Sequence, residues 1–274
     1  MPSTEENNFS EIAKDFENNV SANLASYVRA YRERFAKRID TDNARELCPA
    51  YADSNENRAQ LAPLIHESAS QIVKAVWRGL LDESFGQPGL VIFLAGGPGS
   101  GKSTAVKYEK FQNRFREAIV VYDTTFSNLS SADSKIQDAF NAGKDVDIWY
   151  VHRSAKDAAY SVVERAVRTG RTVPIQEIAN IHWGSQTTIF MLCDRYKDSE
   201  SVTIHLFNNG GTPESFDWFN DEEDLQSIRY ASMMEVEKLV NSGASAAYAR
   251  IREDDGSFPR AIALGIFGRE HPFD

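Results

Sequence analysis

The feature that most constrains the fold is a glycine-rich segment that directly follows a short apolar run. Leu90–Ala95 reads LVIFLA, and Gly96–Ser103 reads GGPGSGKS, which satisfies the pattern G-x-x-x-x-G-K-[ST]. A continuous apolar run of this length is typical of a parallel strand that is buried on both faces. A strand, a glycine loop of this pattern and a helix immediately after it predict a phosphate-binding loop.

Each residue type in this loop has a chemical role. The glycines let the backbone bend so that consecutive N–H groups point at phosphate oxygens, and the following helix adds its positive N-terminal dipole. Lys102 is expected to reach the β and γ phosphates, and the Ser103 hydroxyl is expected to coordinate Mg²⁺. We therefore predict a site for ATP and Mg²⁺. The predicted nucleotide-binding residues are Gly97, Pro98, Gly99, Ser100, Gly101, Lys102, Ser103 and Thr104.

The apolar pattern around the loop predicts an α/β fold. Further runs of strand length occur at residues 119–122, 146–151 and 202–207. Helical periodicity separates the runs, at residues 105–116, 132–143, 156–169 and 175–195. Strands that alternate with helices predict a parallel sheet with helices on both faces, the arrangement of P-loop NTPases and kinases.

Helical patterns also occur before and after this core. Apolar residues recur at three- and four-residue steps from Phe9 to Arg38, which predicts one long amphipathic helix or two. A further helix is predicted over residues 66–81, and the acidic segment 40–56 is predicted as a loop. Near the C-terminus, residues 220–224 are predicted as an acidic cap to a helix that ends at Gly243.

Composition and charge exclude several classes of protein. The chain has 274 residues and a net charge of −10, with no run of Lys and Arg, which disfavours extended nucleic-acid binding. No stretch approaches the roughly 20 apolar residues of a membrane span, and the N-terminus lacks the apolar region of a secretory signal, so we expect a cytoplasmic protein. Cys48 and Cys193 lack metal-ligand spacing, which gives no support for a zinc site or a disulfide scaffold.

Two other segments resemble the zeta toxin family, bacterial P-loop kinases that phosphorylate UDP-N-acetylglucosamine and related nucleotide sugars. The first, residues 39–49 with the sequence IDTDNARELCP, resembles the family pattern D-x-D-x-x-R/K-x-x-H-P. The resemblance implies that Asp42 is the general base on the sugar hydroxyl, and that Asp40 and Arg45 shape the substrate pocket. Cys48 stands where the family has His.

The second segment, residues 162–174, resembles the lid of the same family. The resemblance implies that Arg165 and Arg171 contact the ATP phosphates, a role that suits guanidinium groups because they can stabilise the charge of phosphoryl transfer. His182 also fits the family pattern. We accordingly assign residues 39–210 to a zeta-toxin-like P-loop kinase core, between helical extensions at 1–38 and 211–274, all packed as one globular unit.

The order of the motifs differs from that of the better known members. Here the D-x-D segment precedes the glycine loop, and the interval between Lys102 and Asp123 has room for only one helix and one strand. The simplest interpretation is a circularly permuted core. Asp123, at the end of the 119–122 run, is predicted either to orient Mg²⁺ through water or to cap the next turn, and Thr125 is predicted to reach the substrate.

The leading hypothesis is an ATP-dependent kinase that transfers the γ-phosphoryl group to a hydroxyl of a nucleotide sugar. Two alternatives stay open: a kinase for a nucleoside, dinucleotide, antibiotic or nucleic-acid end, and an ATP-dependent switch or binding module. The family resemblance also implies an antitoxin protein that blocks the nucleotide site.

Overall fold

A sheet with five parallel strands and one antiparallel edge strand forms the centre of the computed structural model, which describes residues 4–107, 112–210, 216–218, 222–270 and 272–273. The strands are β1 Arg38–Ile39, β2 Leu90–Ala95, β3 Ala118–Asp123, β4 Asp145–His152, β5 Val202–Asn209 and β6 Phe216–Trp218. Their spatial order is β1-β3-β2-β4-β5-β6, and β6 is the strand that runs antiparallel. The expected α/β fold with a parallel sheet is confirmed.

Helices precede, separate and follow the strands. They are α1 Thr4–Ala22, α2 Leu24–Phe35, α3 Thr41–Arg45, α4 Pro49–Asp53, α5 Asn55–Leu64, α6 His66–Glu83, α7 Lys102–Ala105, α8 Gln112–Glu117, α9 Leu129–Asn141, α10 Ala155–Thr169, α11 Ile175–Tyr196, α12 Glu222–Ser227, α13 Met233–Asp255 and α14 Arg260–Phe267. Over the described ranges, no helix combines the length and the apolar composition that crossing a membrane requires.

The four strands predicted from apolar runs are all present, with ends that differ by at most two residues. The edge strands β1 and β6 were not predicted, because two or three residues are too few to carry a recognisable apolar pattern. The N-terminal helical pattern is divided at Asn23 into α1 and α2.

The prediction of a loop over residues 40–56 is wrong, because this segment contains α3, α4 and the start of α5. Each of these helices begins at a local signal. The Asp40 carboxylate accepts the backbone N–H two residues later, Pro49 occupies the first turn of α4, and the Ser54 hydroxyl accepts an N–H of α5. Helices α3 and α4 have five residues each, which is too few to show the apolar period of a helix.

Two other predicted helices have different bounds. The one predicted over residues 105–116 is α7 followed by α8, and residues 108–111 lie outside the described structure. The helix expected to end at Gly243 continues to Asp255, and α14 was not predicted. Gly243 does not end the helix but makes a close contact, since a Cβ there would lie 1.9 Å from the Lys156 carbonyl oxygen of α10. Residues 220 and 221 of the predicted acidic cap are outside the described ranges.

The N-terminal helices pack on the core and support the D-x-D segment. Phe16 of α1 and Tyr31 of α2 belong to the same buried apolar cluster as Phe93 of β2. The Tyr31 hydroxyl accepts the Asp40 backbone N–H at 2.8 Å and lies 3.0 Å from the Arg38 carbonyl oxygen. Helix α2 therefore holds the turn between β1 and α3.

We expect Tyr31→Phe to lower the free energy of unfolding by roughly 1–3 kcal/mol, because the part-buried Asp40 N–H would lose its partner. Urea denaturation measures the change. Tyr27→Phe is the matched control, since the Tyr27 ring packs edge-on against Phe16 and its hydroxyl has no hydrogen bond to a described residue. Equal stability of the two variants would contradict the proposed support by Tyr31.

Candidate active site

The glycine loop connects β2 to α7 at the carboxyl edge of the sheet. Gly96, Gly99 and Gly101 have φ values of 121°, 75° and 97°, in the left-handed region that favours glycine. A Cβ at Gly96 would lie 2.4 Å from the Val151 carbonyl oxygen, and one at Gly99 would lie 2.3 Å from the Ala158 carbonyl oxygen. Glycine is therefore required at both positions, where the loop contacts the backbone of β4 and α10.

His182 of α11 lies against the same loop. Its Nε2 is 2.9 Å from the Pro98 carbonyl oxygen, so this nitrogen carries the proton and donates it. Burial lowers the pKa of His182 to about 4, and the charge of Lys102 acts in the same direction. A Cβ at Gly97 would lie 2.4 Å from Nε2. The neutral ring thus fixes the loop backbone and leaves no room for a side chain at Gly97.

Lys102 folds back over the loop. Its Nζ donates to the carbonyl oxygens of Gly96 at 2.8 Å and Gly97 at 3.3 Å. Burial lowers the Lys102 pKa, whereas the Asp123 carboxylate opposes that shift and Arg165 adds to it. The ammonium group therefore lies where charges at the end of β3 and in the lid segment both act on its pKa.

The pairing of β1 with β3 brings the D-x-D segment to this place. Arg38 is opposite Val121 in the register, and its Nη2 lies 2.8 Å from Asp123 Oδ2 and 4.0 Å from Asp40 Oδ2. Burial raises the Asp40 pKa, the negative charges of Asp123 and Asp42 act in the same direction, and the resulting pKa is about 7. Three carboxylates thus lie close together although two of them precede the loop in the sequence.

Asp42 is paired with arginines of two elements. Arg45 Nη1 donates to its Oδ1 at 2.6 Å, and Arg171 Nη1 lies 3.9 Å from its Oδ2. Arg171 Nη2 donates to Glu46 Oε1 at 3.2 Å. In this structure Arg171 therefore contacts the D-x-D segment, and its contact with nucleotide phosphates stays a prediction.

Sequence reasoning missed Glu46, the centre of a buried cluster of charges. Its side chain is 7% exposed and lies 3.3 Å from Arg58 and 3.9 Å from Arg34, in addition to Arg171. Burial raises the pKa of the neighbouring Tyr51 to about 12, and the negative charge of Asp42 contributes. No motif distinguishes Glu46 from other helix carboxylates, so only the tertiary contacts identify it.

Several buried donors in this cluster have no hydrogen-bond acceptor among the described residues. They are the Tyr51 hydroxyl, Arg45 Nε and Arg58 Nε. Tyr51 is fully buried, and the Arg58 guanidinium lies 5.9 Å from the centre of its ring. A buried donor without an acceptor is costly, which makes this cluster a candidate for binding oxygen atoms of a ligand.

Two further arginines belong to this region: Arg153, between β4 and α10, which contacts the glycine loop, and Arg165 of α10. The Arg165 guanidinium makes no hydrogen bond or salt bridge within the described part of the chain, and its Nε is buried. Arg153, which the sequence analysis missed, donates to the Gly99 carbonyl oxygen at 3.3 Å and to Ser161 Oγ at 2.9 Å. Its position, two residues after the predicted strand 146–151, was the available sequence signal, since ligands of α/β proteins bind at the carboxyl edge of the sheet.

Thr125 supports the loop through its backbone. Its carbonyl oxygen accepts the Gly96 N–H at 3.2 Å and the Ser185 hydroxyl at 2.6 Å, while its own hydroxyl donates to Ser127 at 3.1 Å. Ser103 and Thr104 are exposed at the start of α7. The predicted role of Thr125 in substrate contact stays a prediction.

The donor set near the loop suits Mg²⁺. The described residues contain no group of three or more His, Cys, Asp or Glu side chains arranged around a metal position. Magnesium, however, usually keeps several waters and takes only one or two carboxylates from the protein. Asp123 and the Ser103 hydroxyl supply oxygen atoms of that kind, and a divalent cation would offset the repulsion that raises the Asp40 pKa.

Comparison with known proteins gives one family match. The Zeta toxin family model matches residues 111–221, less than half of the chain, and this range contains Arg165 and Arg171. The glycine loop and the D-x-D segment lie outside it. No curated protein sequence matches the chain significantly.

Solved structures with some likeness include chains of the AvrRxo1-ORF1:AvrRxo1-ORF2 crystal structures. The native complex gives a TM-score of 0.42 at 13% identity, covering 63% of this chain and 82% of that one. The complex with ATP gives a TM-score of 0.44 at 13% identity, covering 63% of this chain and 81% of that one.

We expect Gly97→Ala to weaken ATP binding by roughly tenfold or more, because overpacking against the His182 ring costs about 1–3 kcal/mol and displaces the loop. Isothermal titration calorimetry measures the dissociation constant. Gly79→Ala is the matched control, since a Cβ there meets no atom within 4 Å. Unchanged ATP affinity in Gly97→Ala would refute the proposed contact.

Proposed function

We propose that this chain, a relative of the zeta toxin family by the match over residues 111–221, is an ATP-dependent kinase that phosphorylates a hydroxyl of a nucleotide sugar such as UDP-N-acetylglucosamine. One observation carries the proposal. Strand β1 pairs with β3, the neighbour of β2, so the D-x-D segment begins at the edge of the sheet where the glycine loop begins, and Arg38 Nη2 lies 2.8 Å from Asp123 and 4.0 Å from Asp40 there. This geometry supports a candidate general base beside a triphosphate site.

The glycine loop and its neighbours form the nucleotide half of the proposed site. Backbone N–H groups at the start of α7 bind the phosphates, and Lys102 exchanges the carbonyl oxygens of Gly96 and Gly97 for phosphate oxygens. Arg165 is suited to bind the same phosphate oxygens, because its guanidinium has no salt bridge to a described residue. Positive charge from Lys102 and Arg165 stabilises the transferred group, whose charge spreads over three oxygens in the transition state.

Ser103 and Asp123 would hold the Mg²⁺ of the nucleotide. An ion held there would supply positive charge to offset the negative charge of the phosphates. Asp123 is fixed for this role by Arg38, which donates to its Oδ2 at 2.8 Å.

The D-x-D segment forms the acceptor half. Asp42 accepts the proton of the acceptor hydroxyl, whose oxygen forms a bond to the γ-phosphorus as the bond between that phosphorus and the ADP oxygen breaks. Arg171 of the lid segment lies beside Asp42, with Nη1 3.9 Å from Oδ2. It is suited to stabilise charge on the acceptor oxygen as the proton leaves.

The unpaired donors near Glu46 favour an acceptor with several anionic oxygens. Tyr51, Arg45 and Arg58 each have a buried N–H or O–H group without an acceptor in the described structure. Hydrogen bonds between such donors and phosphate oxygens are strong because the acceptor is charged. The diphosphate of a nucleotide sugar supplies oxygens of this kind.

An inhibitory partner would have to cover the same loop. The family resemblance implies an antitoxin that blocks the nucleotide site, and Ser103 and Thr104 are exposed there. We therefore expect a bound inhibitor to compete with ATP.

We expect Asp42→Asn to lower the rate of phosphoryl transfer roughly 100- to 10,000-fold, because general base catalysis contributes about that factor. ATP affinity should stay within about threefold of wild type, since the amide keeps the size of the carboxylate. A kinase assay beside calorimetry separates the two quantities. Undiminished transfer would exclude Asp42 as the base.

The acceptor itself is identified by incubating the protein with ATP, Mg²⁺ and either UDP-N-acetylglucosamine or a metabolite extract. Mass spectrometry then searches for a product heavier by one phosphoryl group, with Asp42→Asn as the negative control. A phosphorylated nucleotide sugar supports the proposal, and another phosphorylated metabolite redirects it to that acceptor. Release of ADP without any labelled product would favour an ATP-dependent switch instead.

A further inference from the structure

His66, the first residue of α6, contacts the arginine that is paired with the proposed base. Arg45 Nη2 lies 2.7 Å from His66 Nδ1, and Nη1 of the same guanidinium donates to Asp42 Oδ1 at 2.6 Å. One planar group thus connects the imidazole to the carboxylate. His66 lies outside the D-x-D segment and belongs to no motif of the sequence.

The chemistry of arginine settles the tautomer of this histidine. A guanidinium has only donors and stays protonated in proteins, so His66 Nδ1 must be the acceptor and Nε2 carries the proton. The charged groups that face the ring are Arg45 and Asp42 of α3 and Glu67 and Lys74 of α6. Burial lowers the His66 pKa below its ordinary 6.5, and Arg45 lowers it further, so the ring is neutral at pH 7.

The two oxygens of Asp42 have different surroundings. Oδ1 accepts from Arg45, whereas Oδ2 lies 3.9 Å from Arg171 Nη1, which is longer than a hydrogen bond. An unrestrained guanidinium tends to pair with both oxygens of a carboxylate through two parallel hydrogen bonds. Here the second terminal nitrogen of Arg45 is directed to His66 instead.

We propose that His66 is a positioning residue that holds Arg45 on one oxygen of Asp42 and keeps Oδ2 free to take the proton of the acceptor. The inference rests on the proposed kinase function. Protonation of His66 would remove the acceptor of the Arg45 hydrogen bond and put two cations side by side. Arg45 would then turn towards both oxygens of Asp42, and transfer would slow while ATP binding stayed the same.

The expected result for His66→Ala is a kcat lower by roughly 10- to 100-fold, a loss of the size that misplacing a catalytic group produces. The ATP dissociation constant should not change. In His66→Asn the side-chain oxygen occupies the place of Nδ1 and can accept from Arg45, so this variant should keep most of the wild-type kcat. In the wild type, protonation of the imidazole should lower kcat below pH 6.5. His66→Asn should lack this part of the decrease.

Gln71→Ala is the matched control, since Gln71 lies on the same helix as His66, is uncharged and is exposed. It should have the kcat of the wild type. A wild-type kcat in His66→Ala, or equal loss in His66→Ala and His66→Asn, would overturn the positioning role.

A second measurement does not depend on activity. Nitrogen-15 NMR of the histidine rings should show His66 as the Nε2–H tautomer with a pKa below 6.5, and Arg45→Leu should raise that pKa. The Nδ1–H tautomer, or an unaltered pKa in Arg45→Leu, would refute the contact. If the wild-type protein phosphorylates no acceptor, the kinase function is refuted, and so is the effect of His66 on kcat. The NMR result would still decide whether His66 contacts Arg45.

Discussion

The pairing of β1 with β3 is the interaction on which the rest of the site depends. It consists of two residues on each strand, yet it fixes where α3 begins and therefore where Asp40 and Asp42 lie. The Tyr31 hydroxyl secures the turn from one side, and the ion pair of Arg38 with Asp123 secures it from the other. A segment that precedes the glycine loop in sequence thereby becomes its neighbour at the carboxyl edge of the sheet, the edge where α/β proteins bind their ligands.

The site contains a cluster of arginines, although the chain as a whole is acidic. The chain carries a net charge of −10, which makes a polynucleotide a poor partner. At the site, however, arginines from α2, α3, α5 and the lid surround two carboxylates, Asp42 and Glu46. Because burying charge is costly unless it is paired, these arginines keep Glu46 buried and still leave donors unused. An acidic protein thus contains a local region that suits an anionic small molecule.

The sequence predicted those parts of the fold that have a local cause. The glycine loop, four strands and the long helices follow from apolar period and glycine geometry, and the resemblance to a family singled out Asp42, Arg45, Arg165 and Arg171. Strand β1 and helices α3 and α4 are too short to carry a period. Glu46 and His66 can be identified only through contacts with residues that are distant in sequence, such as Arg171, which lies 125 positions after Glu46. No single-sequence pattern encodes a contact of that kind.

The long sequence separation between the residues of the site determines when the site can form during synthesis. During synthesis, Asp42 leaves the ribosome well before β3, the strand against which β1 pairs, and before Arg171. Contacts between such distant residues form late, because the intervening chain must first be ordered. The two halves of the site therefore cannot meet in a partial chain that stops short of β3. A nascent fragment that ends before β3 would contain both Asp42 and the glycine loop, but it would lack the strand that pairs with β1. Competence for the proposed group transfer would therefore arise only when the core is nearly complete.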